Sequence, residues 1–74
     1  MEKEITARLE EWWYDELNHI YWGNVYDDIR ERWWEGARIH TSRVKKGQSN
    51  LKEGDTVNTL NSTYLLGKKA ETVD

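Results

Sequence analysis

Aromatic side chains are the feature that most constrains how this chain of 74 residues can fold. It carries five tryptophans and four tyrosines, but no phenylalanine and no cysteine. A chain of this length forms one domain and buries only somewhat more than about 60% of its unfolded surface, so its stability is modest. Disulfides are excluded. Because each large aromatic side chain can bury about 150–250 Å², a few of them are expected to dominate the core.

The first stretch of the chain predicts an amphipathic helix over residues 3–19. Its apolar side chains recur at spacings of three and four, which is the stripe that one face of a helix buries. Trp12 lies about 100° around the helix from its neighbour Trp13, so we expect Trp12 to be available to a partner. The packed face is expected to consist of Ile5, Leu9, Trp13 and Leu17.

Short antiparallel strands are predicted within residues 21–67, where β-branched and aromatic residues lie beside glycines. The clearest stretches are residues 33–44 and 54–67. Residues 24–33 allow two interpretations: a short helix capped by Asn24, or a strand over residues 21–26 followed by a polar connection. The strand is favoured, because one helix and two hairpin strands make a poor core.

These patterns predict an α+β domain over residues 1–67. Its N-terminal amphipathic helix packs on a small, strongly bent antiparallel β-sheet or an SH3-like barrel, and residues 68–74 form a frayed tail. The charged N-terminus does not resemble a signal peptide, and no apolar run is long enough to span a membrane. A cytoplasmic location without a membrane partner is therefore expected.

Charge is unevenly distributed along the chain. Residues 1–36 hold ten acidic and four basic residues, whereas residues 37–74 hold seven basic and four acidic ones. Such a layout steers the approach of charged partners, although solvated faces without a binding role explain it equally well. The charge pattern alone therefore leaves the class of partner open.

The stretch from Gly23 to Gly67 carries a frame of recognisable residues. It reads G-N-V-Y-x-D-I-R-x-R-W-x-E-G-x-x-I-x-T-S-x-V, followed by G-D-x-V-x-T-x-N-S-x-Y-x-L-G. This frame resembles a group of small, mostly uncharacterised proteins encoded by bacteriophages and prophages. The resemblance implies a small β-sheet fold, a location in the cytoplasm of a bacterial host, and action by binding and inhibiting a host protein complex, including complexes of host defence.

Residues that could carry chemistry form no recognisable set. His19 and His40 with nearby acids make an incomplete set of zinc ligands, since such sites need three or four ligands at known spacings. Ser42 and Ser62 have no histidine partner at a motif position. The sequence therefore predicts no catalytic residue, no metal, no cofactor and no enzymatic activity.

Binding to another protein is the function that the sequence favours. Exposed Trp and acidic side chains of the helix or of a Trp33-Trp34 corner are typical of interface hot spots, and an acidic helix could also imitate a phosphate backbone. The chain could also form a homodimer, because its many tryptophans exceed what a small core covers. The predicted partner-binding residues are Trp12, Glu16, Trp33 and Trp34.

The alternative function is binding of single-stranded nucleic acid. A basic strand and loop over residues 38–52, beside exposed aromatic rings, is the combination that single-strand binders use. The acidic total opposes this alternative, because contacts to phosphate supply most of the nonspecific affinity. The residues predicted for it are Arg38, Arg43, Lys45 and Lys46.

Overall fold

The computed structural model describes residues 4–45, 47–60 and 62–71, and these ranges form five strands and no helix. The predicted α+β class is therefore wrong, because the stretch expected to be an N-terminal helix over residues 3–19 contains the longest strand. The strands are β1 Ala7–Asp15, β2 Ile20–Tyr26, β3 Ala37–His40, β4 Thr56–Asn58 and β5 Thr63–Leu66.

All five strands belong to one sheet with the order β3-β2-β1-β5-β4. Central β1 pairs antiparallel with β2 and parallel with β5, so the sheet is mixed, whereas an antiparallel sheet was predicted. β3 and β4 are its edges, and no strand pairing between them closes a barrel within the described ranges. The sheet is nevertheless bent, because Ile39 of β3 and Val57 of β4 belong to the same buried cluster.

A β-bulge in β1 explains why this strand looks like a helix in the sequence. The pairing with β2 shifts between Glu10 and Trp13, and Glu11 has a positive φ of 51°. An extra residue in a strand reverses which side chains face the core beyond it. The inward positions are consequently spaced by two, three and two residues, so the sequence lacks the regular alternation expected of a strand. They are Ala7, Leu9, Trp12 and Tyr14.

The bulge also reverses the predicted roles of the two adjacent tryptophans. Trp12 is buried in the core and 1% exposed, whereas Trp13 is 37% exposed on the opposite side of the sheet. Ile5 and Leu17, which were predicted to pack against the sheet, are exposed at 42% and 91%. A helical face made of these residues is therefore absent.

The strand prediction for residues 21–26 is confirmed, since β2 covers this range. Its inward residues alternate with outward ones, as expected of a strand with one buried face. Gly23 faces inward, and a Cβ atom at this position would lie 3.2 Å from the Glu10 carbonyl oxygen and from the Trp12 Cβ. Glycine is thus favoured at position 23, because a side chain there would press against Glu10 and Trp12 of the neighbouring strand β1.

The segment between β3 and β4 crosses the open side of the sheet. The Gln48 side-chain amide donates to the Asn58 carbonyl oxygen at 2.7 Å, and the Asn58 backbone N–H donates to Gln48 Oε1 at 2.7 Å. The Tyr21 hydroxyl, whose ring lies in the core, donates to the Gln48 carbonyl oxygen. One glutamine therefore links the core to the β4 edge.

Part of the predicted frayed tail is hydrogen bonded to β1. The Glu11 N–H donates to the Lys68 carbonyl oxygen at 2.6 Å, and the Ala70 N–H donates to the Trp12 carbonyl oxygen at 2.9 Å. The Trp12 indole N–H also donates to the Gly67 carbonyl oxygen at 2.9 Å. Residues 67–70 thus extend the contact of β5 with β1 past the bulge, and residues 72–74 lie outside the described ranges.

Candidate functional site

The side of the sheet that faces away from the core carries the most ordered group of exposed side chains. We call this side of β1, β2 and β3 the outer face. It combines tryptophan, tyrosine and histidine rings with cationic, acidic and amide groups, whereas the opposite side is almost wholly apolar. The residues of the outer face are Arg8, Glu10, Trp13, Asp15, Trp22, Asn24, Tyr26, Arg38 and His40.

Three rings lie side by side across the outer face, and we call Trp13, Trp22 and His40 the aromatic row. The register pairs Trp13 with Trp22 and Trp22 with His40, so the row runs across three strands. The two indole rings are nearly parallel, at 8°, with centroids 5.9 Å apart. The His40 ring lies 4.8 Å from the Trp22 ring at 56°. Each ring is held by its neighbour before any partner arrives.

Hydrogen bonds fix both ends of the Trp13–Trp22 pair. The Arg38 Nε donates to Asn24 Oδ1 at 2.8 Å, and this places its guanidinium 5.3 Å from the centre of the Trp13 ring. The Trp22 indole N–H donates to Asp15 Oδ2 at 3.3 Å. The Asn18 side chain and then the Trp22 indole hold the pKa of Asp15 below its usual range, although desolvation opposes them. Asp15 therefore stays ionised near neutral pH.

The charges on the other half of the outer face neutralise one another. Arg8 pairs with Glu10 at 2.6 Å and with Asp27, and its guanidinium also lies 5.1 Å from the centre of the Tyr26 ring. Arg38 takes part in no ion pair within the described part of the chain. The unneutralised positive charge of the outer face is therefore concentrated on β3.

A second charged cluster lies in the connection from β2 to β3, on the core side of the molecule. The buried Asp28 carboxylate accepts hydrogen bonds from the backbone N–H groups of Arg30 and Arg32 and from the Arg32 guanidinium, each at 3.0 Å. Burial raises the pKa of Asp28, but the Arg32 side chain and the two backbone N–H groups outweigh burial and leave this pKa lowered. These bonds stabilise the connection between β2 and β3, and they do not activate a reactive group.

The predicted partner-binding residues are not brought together. Trp12 is in the core and presents no surface to a partner. Glu16 is exposed in the turn between β1 and β2. Trp33 is half-buried, with the Arg32 guanidinium 4.3 Å above its ring, whereas Trp34 is 77% exposed.

The residues predicted for nucleic-acid binding lie on and beyond β3. Arg38 is on the outer face, whereas Arg43 and Lys45 line an open cleft of ≈ 370 Å³ together with Tyr14 and His19. The Tyr14 hydroxyl and His19 Nδ1 are 3.1 Å apart and share a hydrogen bond. Lys46 lies outside the described residues. The basic side chains thus follow one edge of the sheet.

The aromatic row was missed by sequence reasoning. Trp13 was assigned to the core, Trp22 to a strand without a role, and His40 was considered only as part of an incomplete set of zinc ligands. The signal was the alternation of Tyr21, Trp22 and Gly23, which puts Trp22 opposite to the buried Tyr21. This alternation indicates a surface position for Trp22 only if the preceding residues also form a strand.

Neither protein-family models nor curated proteins nor solved structures give a match to this chain. Among the described residues, no group of three or more histidine, aspartate or glutamate side chains is placed to hold a metal ion. The same residues contain no helix that could cross a membrane. The outer face is therefore interpreted from its own geometry.

Proposed function

We propose that this protein is a protein-binding module and that its partner docks on the outer face around the aromatic row. The observation that carries the proposal is the ordered Trp13–Trp22 pair on the solvent side of the sheet, with the Arg38 guanidinium held beside it. Tryptophan and arginine are the side chains most enriched among the residues that dominate binding energy in protein interfaces.

Preorganisation distinguishes this surface from the other exposed aromatic residue. Ordering a flexible side chain on binding costs about 0.5–1.5 kcal/mol, and a group already held in place avoids that cost. Trp13 contacts Trp22 and Arg38, whereas Trp34 is 77% exposed, and single exposed apolar residues are common on protein surfaces. The aromatic row is therefore the stronger candidate.

Charge favours a protein over a nucleic acid as the partner. Glu10 and Asp15 lie on the same face as the aromatic row, and the chain has a formal net charge of −3. Nonspecific affinity for nucleic acid comes mainly from neutralising phosphates with basic side chains, and acidic neighbours reduce it. That the partner is a bacterial host complex, and that binding inhibits it, stays a prediction from the phage resemblance.

The test is recovery of a partner from bacterial lysate, with and without nuclease, by the tagged wild-type chain and two single variants. Trp13→Ala removes the exposed end of the aromatic row, and Trp34→Ala is the matched control that removes an exposed tryptophan elsewhere. We expect a nuclease-resistant protein partner whose affinity falls roughly 30-fold or more in Trp13→Ala, as for a hot spot of about 2 kcal/mol, and is unchanged in Trp34→Ala.

Other results would replace the proposal. Loss of binding in Trp34→Ala alone would move the site to the Trp33-Trp34 corner. Recovery that disappears with nuclease and weakens steeply with salt would identify nucleic acid as the partner. Recovery of the tagged chain alone would contradict a partner in this lysate and leave self-association.

A further inference from the structure

The β3 edge has backbone groups that no described residue uses. The Thr41 N–H donates to the Tyr21 carbonyl oxygen at 2.8 Å, and the register continues from there as Ile39 opposite Gly23. Backbone groups of successive residues in a strand point to alternate sides. Ile39 and Thr41 therefore face β2, whereas the N–H and C=O groups of Arg38 and His40 point away from the sheet.

We propose that this edge takes up an extended segment of the partner as a sixth strand, and that the segment carries an acidic side chain opposite Arg38. The inference rests on the proposed function and deepens it, since it specifies how the partner binds and which chemistry is recognised. Strand addition obtains affinity from main-chain hydrogen bonds and specificity from every second side chain.

The side chains along the edge define the chemistry of the added strand. Arg38 projects from β3 on the outer face, and no ion pair neutralises it within the described ranges. Arg43 and Lys45 follow beyond the strand and line the cleft beside Tyr14. Side chains directly opposite one another on neighbouring strands lie about 4.5–5.5 Å apart, and opposite charges attract at that distance. The residue of the added strand that lies opposite Arg38 is therefore Asp or Glu.

The inward positions of the edge complete the pattern. Ala37 and Ile39 are 4% and 7% exposed and belong to the core cluster. Residues of the added strand that lie beside them face the same side as the core, where apolar side chains are favoured. The recognised segment thus carries an acidic residue opposite Arg38, flanked by apolar residues beside Ala37 and Ile39.

A second copy of this chain is a poor occupant of the edge. Pairing two β3 strands would bring Arg38 of one copy close to Arg38 of the other, and like charges that face one another across paired strands are destabilising. The other edge is also less accessible, because the Gln48 side chain already bonds the backbone N–H and C=O of Asn58. The free edge on β3 therefore fits a different, acidic chain.

The experiment selects binders from a library of random ten-residue peptides on the immobilised full-length chain. We expect the enriched peptides to carry an acidic residue with an apolar residue on each side of it. Their affinity should fall at least tenfold in Arg38→Glu and stay unchanged in Lys52→Glu. The second variant makes the same charge change at an exposed residue between β3 and β4, away from the edge.

Methylation of peptide nitrogens tests the strand geometry without altering the protein. In an enriched peptide, methyl groups on the amide nitrogens that face β3 should abolish binding, whereas methyl groups on the alternate nitrogens should leave it intact. Equal effects of the two methylation patterns, enriched peptides that lack an acidic residue, or no enrichment at all would each overturn the inference.

Two further outcomes separate this inference from the proposed function. A lysate partner whose binding depends on Trp13 but is insensitive to Arg38→Glu would uphold binding at the outer face and reject the strand edge. A dimer seen by analytical ultracentrifugation and strengthened by Arg38→Glu would identify a second copy as the occupant of the edge, and would also overturn the inference.

Discussion

Trp12 and Trp13 are neighbours in sequence, yet they belong to opposite faces of the sheet. Trp12 packs at 5.6 Å against the Tyr21 ring in the core and satisfies its indole N–H on the Gly67 carbonyl oxygen. Trp13 stacks on Trp22 at the surface and keeps 37% of its area exposed. The bulge at Glu11 therefore divides two chemically identical side chains between the core and the surface.

Two adjacent aspartates likewise differ, because one forms a buried ion pair and the other an exposed one. The Asp28 side chain, only 3% exposed, is enclosed by Arg32 and by backbone N–H groups. Asp27, the preceding residue, pairs with Arg8 while its side chain is 67% exposed. Removing one partner of a buried pair leaves an uncompensated charge, whereas exposed pairs contribute little.

The largest contrast is expected between Trp12→Ala and Trp13→Ala. Loss of the buried ring should reduce the free energy of unfolding by about 3–5 kcal/mol, because a cavity forms in the core and the hydrogen bond to Gly67 is lost. Loss of the exposed ring should reduce it by about 1 kcal/mol or less. Urea unfolding followed by circular dichroism measures both. Equal losses would show that the two rings share one environment.

An intermediate contrast is expected between Asp28→Asn and Asp27→Asn. At pH 7 the first should reduce the free energy of unfolding by about 2–3 kcal/mol, since bonds to a buried charged acceptor are lost. The second should cost no more than about 0.5 kcal/mol. Urea midpoints of the two variants and the wild type make the comparison, and a matching loss in both variants would remove the distinction between buried and exposed pairs.

The lowered pKa of Asp28 also predicts how the stability difference between wild type and Asp28→Asn depends on pH. Although burial raises the pKa of Asp28, its hydrogen bonds to Arg32 and the backbone leave that pKa below the usual 3.8. A lowered pKa in the folded state stabilises the protein above the unfolded value, and this contribution is lost as the pH falls through the folded pKa. The difference between wild type and Asp28→Asn should therefore shrink only below about pH 4, and a difference that shrinks near pH 6 would contradict the assignment.

The smallest contrast concerns alanine at two glycines. In Gly23→Ala the new methyl group meets the Glu10 carbonyl oxygen and the Trp12 Cβ at 3.2 Å, so the central strands must shift, and a loss of about 1–3 kcal/mol is expected. In Gly67→Ala the methyl group meets the Glu10 carboxylate, which can rotate away. The carboxylate then loses its hydrogen bond from the Lys68 N–H, so the free energy of unfolding is expected to fall by about 1 kcal/mol. Thermal unfolding of the two variants measures the two losses of stability. A larger loss in Gly67→Ala than in Gly23→Ala would show that the rigid contact is the one at Gly67.

How much of this fold the sequence predicts depends on whether each strand alternates regularly. β2 and β3 were located from β-forming residues beside glycines, because their inward and outward positions alternate. β1 was assigned to a helix, because the bulge breaks that alternation and the apolar residues of both faces together fall at spacings of three and four. A bulge is set by pairing with neighbouring strands, and a single stretch of sequence does not show which neighbours it will have.

The candidate site was predictable only in part for a related reason. Arg38 was singled out from its charge, although for nucleic acid. Trp13 and Trp22 were not combined, since they meet only when β1 and β2 are paired in the observed register. The free edge of β3 likewise follows from the strand order and not from the composition of the strand.

The parallel pairing of β1 with β5 has a consequence for how the protein folds. Thr6 and Thr63, which are 57 residues apart, are joined by backbone and side-chain hydrogen bonds at the start of this pair. Contacts between such distant residues must close a long loop before they contribute, and sheets dominated by them fold in about milliseconds to seconds. A nascent chain that has not yet released β5 would leave the central strand unpaired on one side, so the sheet is expected to assemble in a single late step and to have no half that folds alone.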